Sequence, residues 1–141
     1  MSMFKKTIVA FILTPLVSVA IGGGEEKLII HTKSGDVPVT NFYQNPQIEI
    51  FDKDKDAIIK NDPNYQIMYY GKYQSFFISL LGGNLHAARK ISEREFLKIL
   101  NITKNQACKL PVSVSVPHFV NHNASGTDYG LSFCPDGKPL P

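Results

Sequence analysis

The chain has 141 residues, 43% of them hydrophobic, with 15 Lys and Arg against 12 Asp and Glu. That length supports one ordinary domain with a single core. Lys5 and Lys6 fall in a segment expected to be removed, which leaves thirteen basic residues against twelve acidic ones. A near-neutral domain has no electrostatic footprint for nucleic acid or an anionic membrane, and no nucleic-acid partner is expected.

Taken in chain order, the first signal is an address. Lys5 and Lys6 precede an uncharged stretch from Thr7 that ends in Ser18-Val19-Ala20. Its apolar part, about 14 residues, suits a secretory signal and falls short of the ~20 needed to span a bilayer. Residues 1–20 are therefore read as a signal peptide and 21–26 as a flexible N-terminus. The chain is expected to be secreted or periplasmic, with no stable membrane insertion after cleavage. The alternative is an anchor formed by uncleaved residues 7–21.

A single α+β domain is expected over 27–134, with a mostly antiparallel sheet of about five to seven short strands. Lys27–Thr32 reads as the first strand and Val37–Tyr43 as an extended segment, in which Pro38 requires an edge or a strand start. Gln47–Phe51 alternates with period two, and a short strand follows over Ala57–Lys60. Between them, Asp52-Lys53-Asp54-Lys55-Asp56 copies the opening of a calcium loop. Ala57 replaces the required glycine and Pro63 stands in place of the closing glutamate, so a charged turn is expected instead. Asn61–Asn64 reads as another turn.

Tyr65–Tyr70 and Gln74–Leu81 read as the central hairpin, with both faces substantially apolar or aromatic and covered. Tyr65, Tyr69, Phe76 and Phe77 are assigned to the core; Tyr70 and Tyr73 are expected to face out, where tyrosines serve binding surfaces. Gly82-Gly83 breaks the chain. Asn84 then caps a helix over 85–100 with Leu85, Ala88, Ser92, Phe96, Ile99 and Leu100 on the stripe facing the sheet. Arg89 and Glu93 have the spacing of a weak surface pair.

Thr103–Gln106 is a capping box that starts a short helix near 104–109. With the preceding helix it resembles a helix-turn-helix, but Pro111 ends it too soon for base reading. That function is a remote alternative requiring a chain that is not exported. Val112–Val116 reads as a strand, and a polar loop over 117–128 leads to a last strand, Tyr129–Cys134. A Cys108–Cys134 disulfide is expected to clamp the open end of the hairpin so formed, as an oxidising compartment permits. Residues 135–141 carry three prolines and a glycine and are read as a frayed tail.

His118, Phe119, His122 and Asp128 in the 117–128 loop are the residues expected to bind, with Tyr70 and Tyr73 as outliers, because such loops on a rigid scaffold carry function. No catalytic residue and no cofactor are assigned. The expected function is non-catalytic: binding, as an accessory, inhibitor or structural component, to a protein or other macromolecule of the envelope or extracellular space. The alternative is a metal-binding protein or hydrolytic enzyme built on His118, His122 and Asp128, with Ser125 and Thr127 nearby. His118 and His122 are a weak metal pair with no evident third ligand. Asn101-Ile102-Thr103 and Asn123-Ala124-Ser125 match glycosylation sequons, which matter only in a eukaryotic secretory pathway.

Overall fold

The computed structural model describes residues 26–141. The expected signal peptide, 1–20, lies outside the described residues, as does nearly all of the expected flexible N-terminus, 21–26. The described chain is an α+β fold with a β-ribbon, a mixed sheet and one main helix.

The ribbon is β1 (Lys27–Thr32) paired antiparallel with β2 (Gly35–Thr40). Among the described residues neither strand has a strand neighbour on its outer side, so Pro38, opposite Ile29, need not break a ladder. A 3-10 turn, Phe42–Gln44, leads to the five-stranded sheet. That sheet runs β3 (Glu49–Phe51), β4 (Asp56–Asp62), β5 (Tyr65–Tyr70), β6 (Ser75–Leu80), β7 (Val112–Ser115) in spatial order. The first four strands form an antiparallel meander, and β7 joins β6 in parallel. Parallel neighbours require a crossover; here it is α1 (Leu85–Leu100) and the single turn α2 (Lys104–Ala107). Four residues are too few for a recognition helix, so the helix-turn-helix resemblance stops at the turn.

Local chemistry sets most of these boundaries. The Asn84 side chain accepts from the Ala87 amide at 3.1 Å, capping α1, and Asn101, in the left-handed region at φ 51°, ends it. The expected capping box at Thr103–Gln106 forms, each side chain bonding the other's backbone. The charged turn at 52–56 also forms, with the Asp54 amide donating to Asp52 Oδ1 at 2.9 Å. Beside it, a Cβ on Gly71 would lie 1.9 Å from the Asp54 carbonyl oxygen. Only glycine lets the β5–β6 turn approach the β3–β4 turn so closely.

One face of the sheet carries the core. Tyr65, Ile67 and Tyr69 on β5 and Phe76, Ile78 and Leu80 on β6 are buried together with Val114 of β7. Ala88, Ser92, Phe96 and Leu100 of α1 are buried with them, as the apolar stripe required. Phe76 and Phe96 meet edge to face at 5.2 Å between ring centroids, and Phe42 meets Tyr69 at 5.1 Å. These aromatic contacts tie the 3-10 turn, sheet and helix into one core. The alternate residues of β5, Gln66, Met68 and Tyr70, are only half-buried. Coverage of both faces is therefore not realised, and Phe77, assigned to the core, is half-buried because it points to the open side of the sheet.

Four further expectations are corrected. Residues 129–134 form no strand: 129–131 are irregular and 132–133 a turn; their contact with β7 is a single rung in which the Tyr129 amide donates to the Val114 carbonyl at 2.8 Å. Arg89 and Glu93 are buried, not a surface pair. The tail 135–141 is not free: the Lys138 amide donates to the Tyr129 carbonyl at 2.8 Å, and Leu140 is buried. Cys108 and Cys134 are disulfide-bonded with Cα atoms 5.5 Å apart. The bridge ties the end of α2 to the irregular C-terminal segment instead of clamping a hairpin. A disulfide of this kind fits an oxidising, extracellular or periplasmic setting. Among the described residues no helix is long and apolar enough to cross a membrane.

Candidate functional site

β7 ends at Ser115, and just after Pro117 residues 118–120 make a turn. The amides of Val120 and Asn121 both donate to the Pro117 carbonyl, at 2.9 and 3.2 Å. His118 and His122 stand on either side of this turn, and their side chains meet. Their rings stand perpendicular with centroids 4.3 Å apart, and His122 Nδ1 is within hydrogen-bonding contact of His118 Nε2. Both histidines are exposed. Phe119, on the same turn, is 83% exposed, the highest among the large hydrophobic residues left outside the core.

This turn sits on a fixed base. Asn121 Oδ1 accepts from the Ala124 amide at 3.1 Å, Ala124 is fully buried, and the Tyr129 hydroxyl donates to the Ala124 carbonyl. Asp128 closes the loop onto the sheet. Its Oδ1 accepts from the Val114 and Gly130 amides, both at 3.0 Å, and its Oδ2 accepts from the Ser113 hydroxyl at 2.9 Å. Asp128 therefore takes the place of a neighbouring strand's carbonyl along the outer edge of β7, which blunts that edge.

The six residues picked from the sequence divide accordingly. His118, Phe119 and His122 come together at the loop tip. Asp128 belongs to the same loop but spends its carboxylate on the loop's own frame. Tyr70 lines an open cavity of about 340 Å³ with Phe77, Ser113 and Asp128. Tyr73 is 71% exposed in the β5–β6 turn. β7 runs parallel to β6 from the Phe76–Val112 pair to the Ser79–Ser115 pair, so the chain enters the 117–128 loop at the far end of β6 from Tyr73.

Among the described residues of this loop no Ser–His–Asp relay is assembled. Ser125 Oγ donates to the backbone carbonyl of His122 at 2.8 Å, not to a ring nitrogen, and the Asp128 carboxylate is engaged elsewhere. Among the described residues, no group of three or more His, Cys, Asp or Glu is placed to hold a metal ion.

The sequence reading missed the node beneath the site. Arg89 Nε donates to Glu93 Oε1 at 3.0 Å. The rest of the guanidinium donates to the carbonyls of Lys138, Tyr129 and Gly130 at 2.7, 3.1 and 2.8 Å. Glu93 accepts from the Ser132 amide at 2.8 Å and from the Ser132 hydroxyl. Two helical side chains thus supply the hydrogen bonds that a neighbouring strand would otherwise give to 129–138. The available signal was Ser92, a small residue on the apolar stripe between Arg89 and Glu93, which marks a face approached closely by other chain. Above the node, His86, Lys90, Arg94 and Lys104 line a cavity of about 520 Å³ with Leu97 and Phe133.

Compared with known protein families, curated proteins and solved structures, the chain matches none.

Proposed function

We propose that this chain is an exported, non-catalytic binding domain. In this reading residues 1–20 direct it to the periplasm or the extracellular space, where it binds a protein or other macromolecule of the envelope or surroundings. The observation that carries the reading is Phe119, 83% exposed at the tip of the 117–128 loop. Burying a phenylalanine is worth about 1.5–3 kcal/mol, and a loose loop would fold the ring back onto the protein. This loop is held by the Asp128, Tyr129 and Asn121 hydrogen bonds, so the ring stays outside and its burial is left for a partner. His118 and His122 flank it with polar groups.

The test is affinity capture from the native envelope or medium with the wild-type chain and with Phe119→Ala, His118→Ala and His122→Ala variants. The reading expects a partner retained by the wild type and lost with Phe119→Ala, with thermal stability unchanged. Retention of every captured species by all three variants would overturn it.

A further inference from the structure

We propose that His118 and His122 form a two-point chelate for a late first-row divalent metal ion, with Cu(II) held more tightly than Zn(II). The turn after Pro117 lies between the two histidines and brings their imidazoles together. The nitrogens that converge are His122 Nδ1 and His118 Nε2, one from each ring. Metal–nitrogen bonds of about 2.0–2.1 Å place two ligating imidazole nitrogens roughly 3 Å apart. Both rings are exposed, so a small side-chain rotation opens them to that separation. The backbone of the turn need not move, since the Val120 and Asn121 amides hold it to Pro117 at 2.9 and 3.2 Å.

The ligand set fixes the preference. Two neutral imidazoles with water in the remaining positions make a nitrogen–oxygen site, and such sites follow the order in which Cu(II) exceeds its neighbours. Asp128 is not a third ligand. Its Oδ1 and Oδ2 are occupied by the Val114 and Gly130 amides and the Ser113 hydroxyl, and freeing it would release the loop from β7. The other two histidines stand apart from this pair: His31 Nδ1 lies 2.8 Å from Asp36 Oδ1 on the β1–β2 ribbon, and His86 lies in the first turn of α1. The site therefore keeps open coordination positions toward solvent beside Phe119.

The experiment is a Cu(II) titration of the full, tag-free chain after removal of adventitious metal, followed by calorimetry and by electron paramagnetic resonance. The expected result is one tight Cu(II) per chain with splitting from two imidazole nitrogens. Losing either ring removes the intramolecular second ligand and weakens binding about a hundredfold, so His118→Ala and His122→Ala should each show that loss. His31→Ala and His86→Ala should leave the affinity unchanged. Copper bound as tightly by His122→Ala as by the parent, or a spectrum with a single imidazole nitrogen, would overturn the proposal. The partner reading fails separately, because Phe119→Ala removes the exposed ring and leaves both ligands: it should bind copper as the parent does.

Discussion

Arg89 and Glu93, one turn apart on α1, form an ion pair at 3.0 Å with side chains only 8% and 6% exposed. Burying two charges is costly, and mutual attraction alone seldom recovers the cost. Here both groups are also hydrogen-bonded, Arg89 to three backbone carbonyls and Glu93 to Ser132. The pair thus fixes a chain segment that has no regular secondary structure. That segment, with Cys134 of the Cys108–Cys134 bridge within it, follows directly on the 117–128 loop and is tied to it by the Tyr129 hydroxyl and the Ala124 carbonyl.

Removing one member of this pair leaves the other charge buried without its partner. Glu93→Ala is expected to destabilise the domain by about 3–5 kcal/mol. Replacing both residues with apolar ones should not restore stability, because the carbonyls of Tyr129, Gly130 and Lys138 would each lose a donor. Urea denaturation of the two variants and the parent gives both values. A double variant as stable as the parent would show that the carbonyls do not depend on Arg89.

The disulfide joins residues 26 apart in sequence. Opening a loop of that size should cost about 3–4 kcal/mol through the entropy returned to the unfolded chain. Denaturation midpoints of the oxidised chain and of a Cys108→Ser, Cys134→Ser double variant measure it. Protease sensitivity in the double variant should appear first between 129 and 140, where hydrogen bonds run to side chains instead of a strand ladder.

The elements that were legible in the sequence are those specified by neighbours in the chain. Asn84, the stripe through Phe96 and the left-handed Asn101 bound α1 at 85–100, and the apolar and aromatic runs over 65–70 and 74–81, split by Gly71-Lys72, marked the central hairpin that β5 and β6 form. β7 was legible as a strand, but nothing in Val-Ser-Val-Ser names a parallel neighbour. The misread segment, Tyr129–Cys134, alternates apolar and polar residues as an edge strand does. Its partners are Arg89 and Glu93, some forty residues away, and an Arg–Glu pair four apart on a helix reads as solvated charge. The loop tip was legible because His118 and His122 are close in sequence. The role of Asp128 was not, since its partners lie on β7.

Asp128 tests whether the loop frame and the loop tip are separable. Asp128→Ala removes the acceptor for the Val114 and Gly130 amides and should cost about 1–2 kcal/mol. Asp128→Asn keeps one carbonyl oxygen and should cost less. Both should weaken partner capture without touching the partner, the alanine variant more. An Asp128→Ala chain of full stability would contradict the assignment of its carboxylate to the frame.

Tyr69 sets the behaviour at high pH. Burial, and to a smaller extent the neighbouring Tyr43, push its hydroxyl from 10.0 up to about 12. A group whose pKa is raised by folding stabilises the fold fully below its unfolded value and loses that contribution as pH rises through the folded value. Stability should therefore hold up to about pH 10 and fall progressively toward pH 12. Tyrosinate absorbance and unfolding, followed together in an alkaline titration, check this. Tyr69→Phe should show a weaker decline over that interval.

The most direct measurement of the central claim is amide hydrogen exchange across 114–138 in the oxidised chain. If the irregular segment is a fixed platform, the amides of Val114, Ala124, Tyr129, Ser132 and Cys134, all hydrogen-bonded, should be protected nearly as well as those of β5 and β6. Exchange there at the rate of an unstructured peptide would contradict a platform, and with it the presentation of Phe119, His118 and His122 as a built surface.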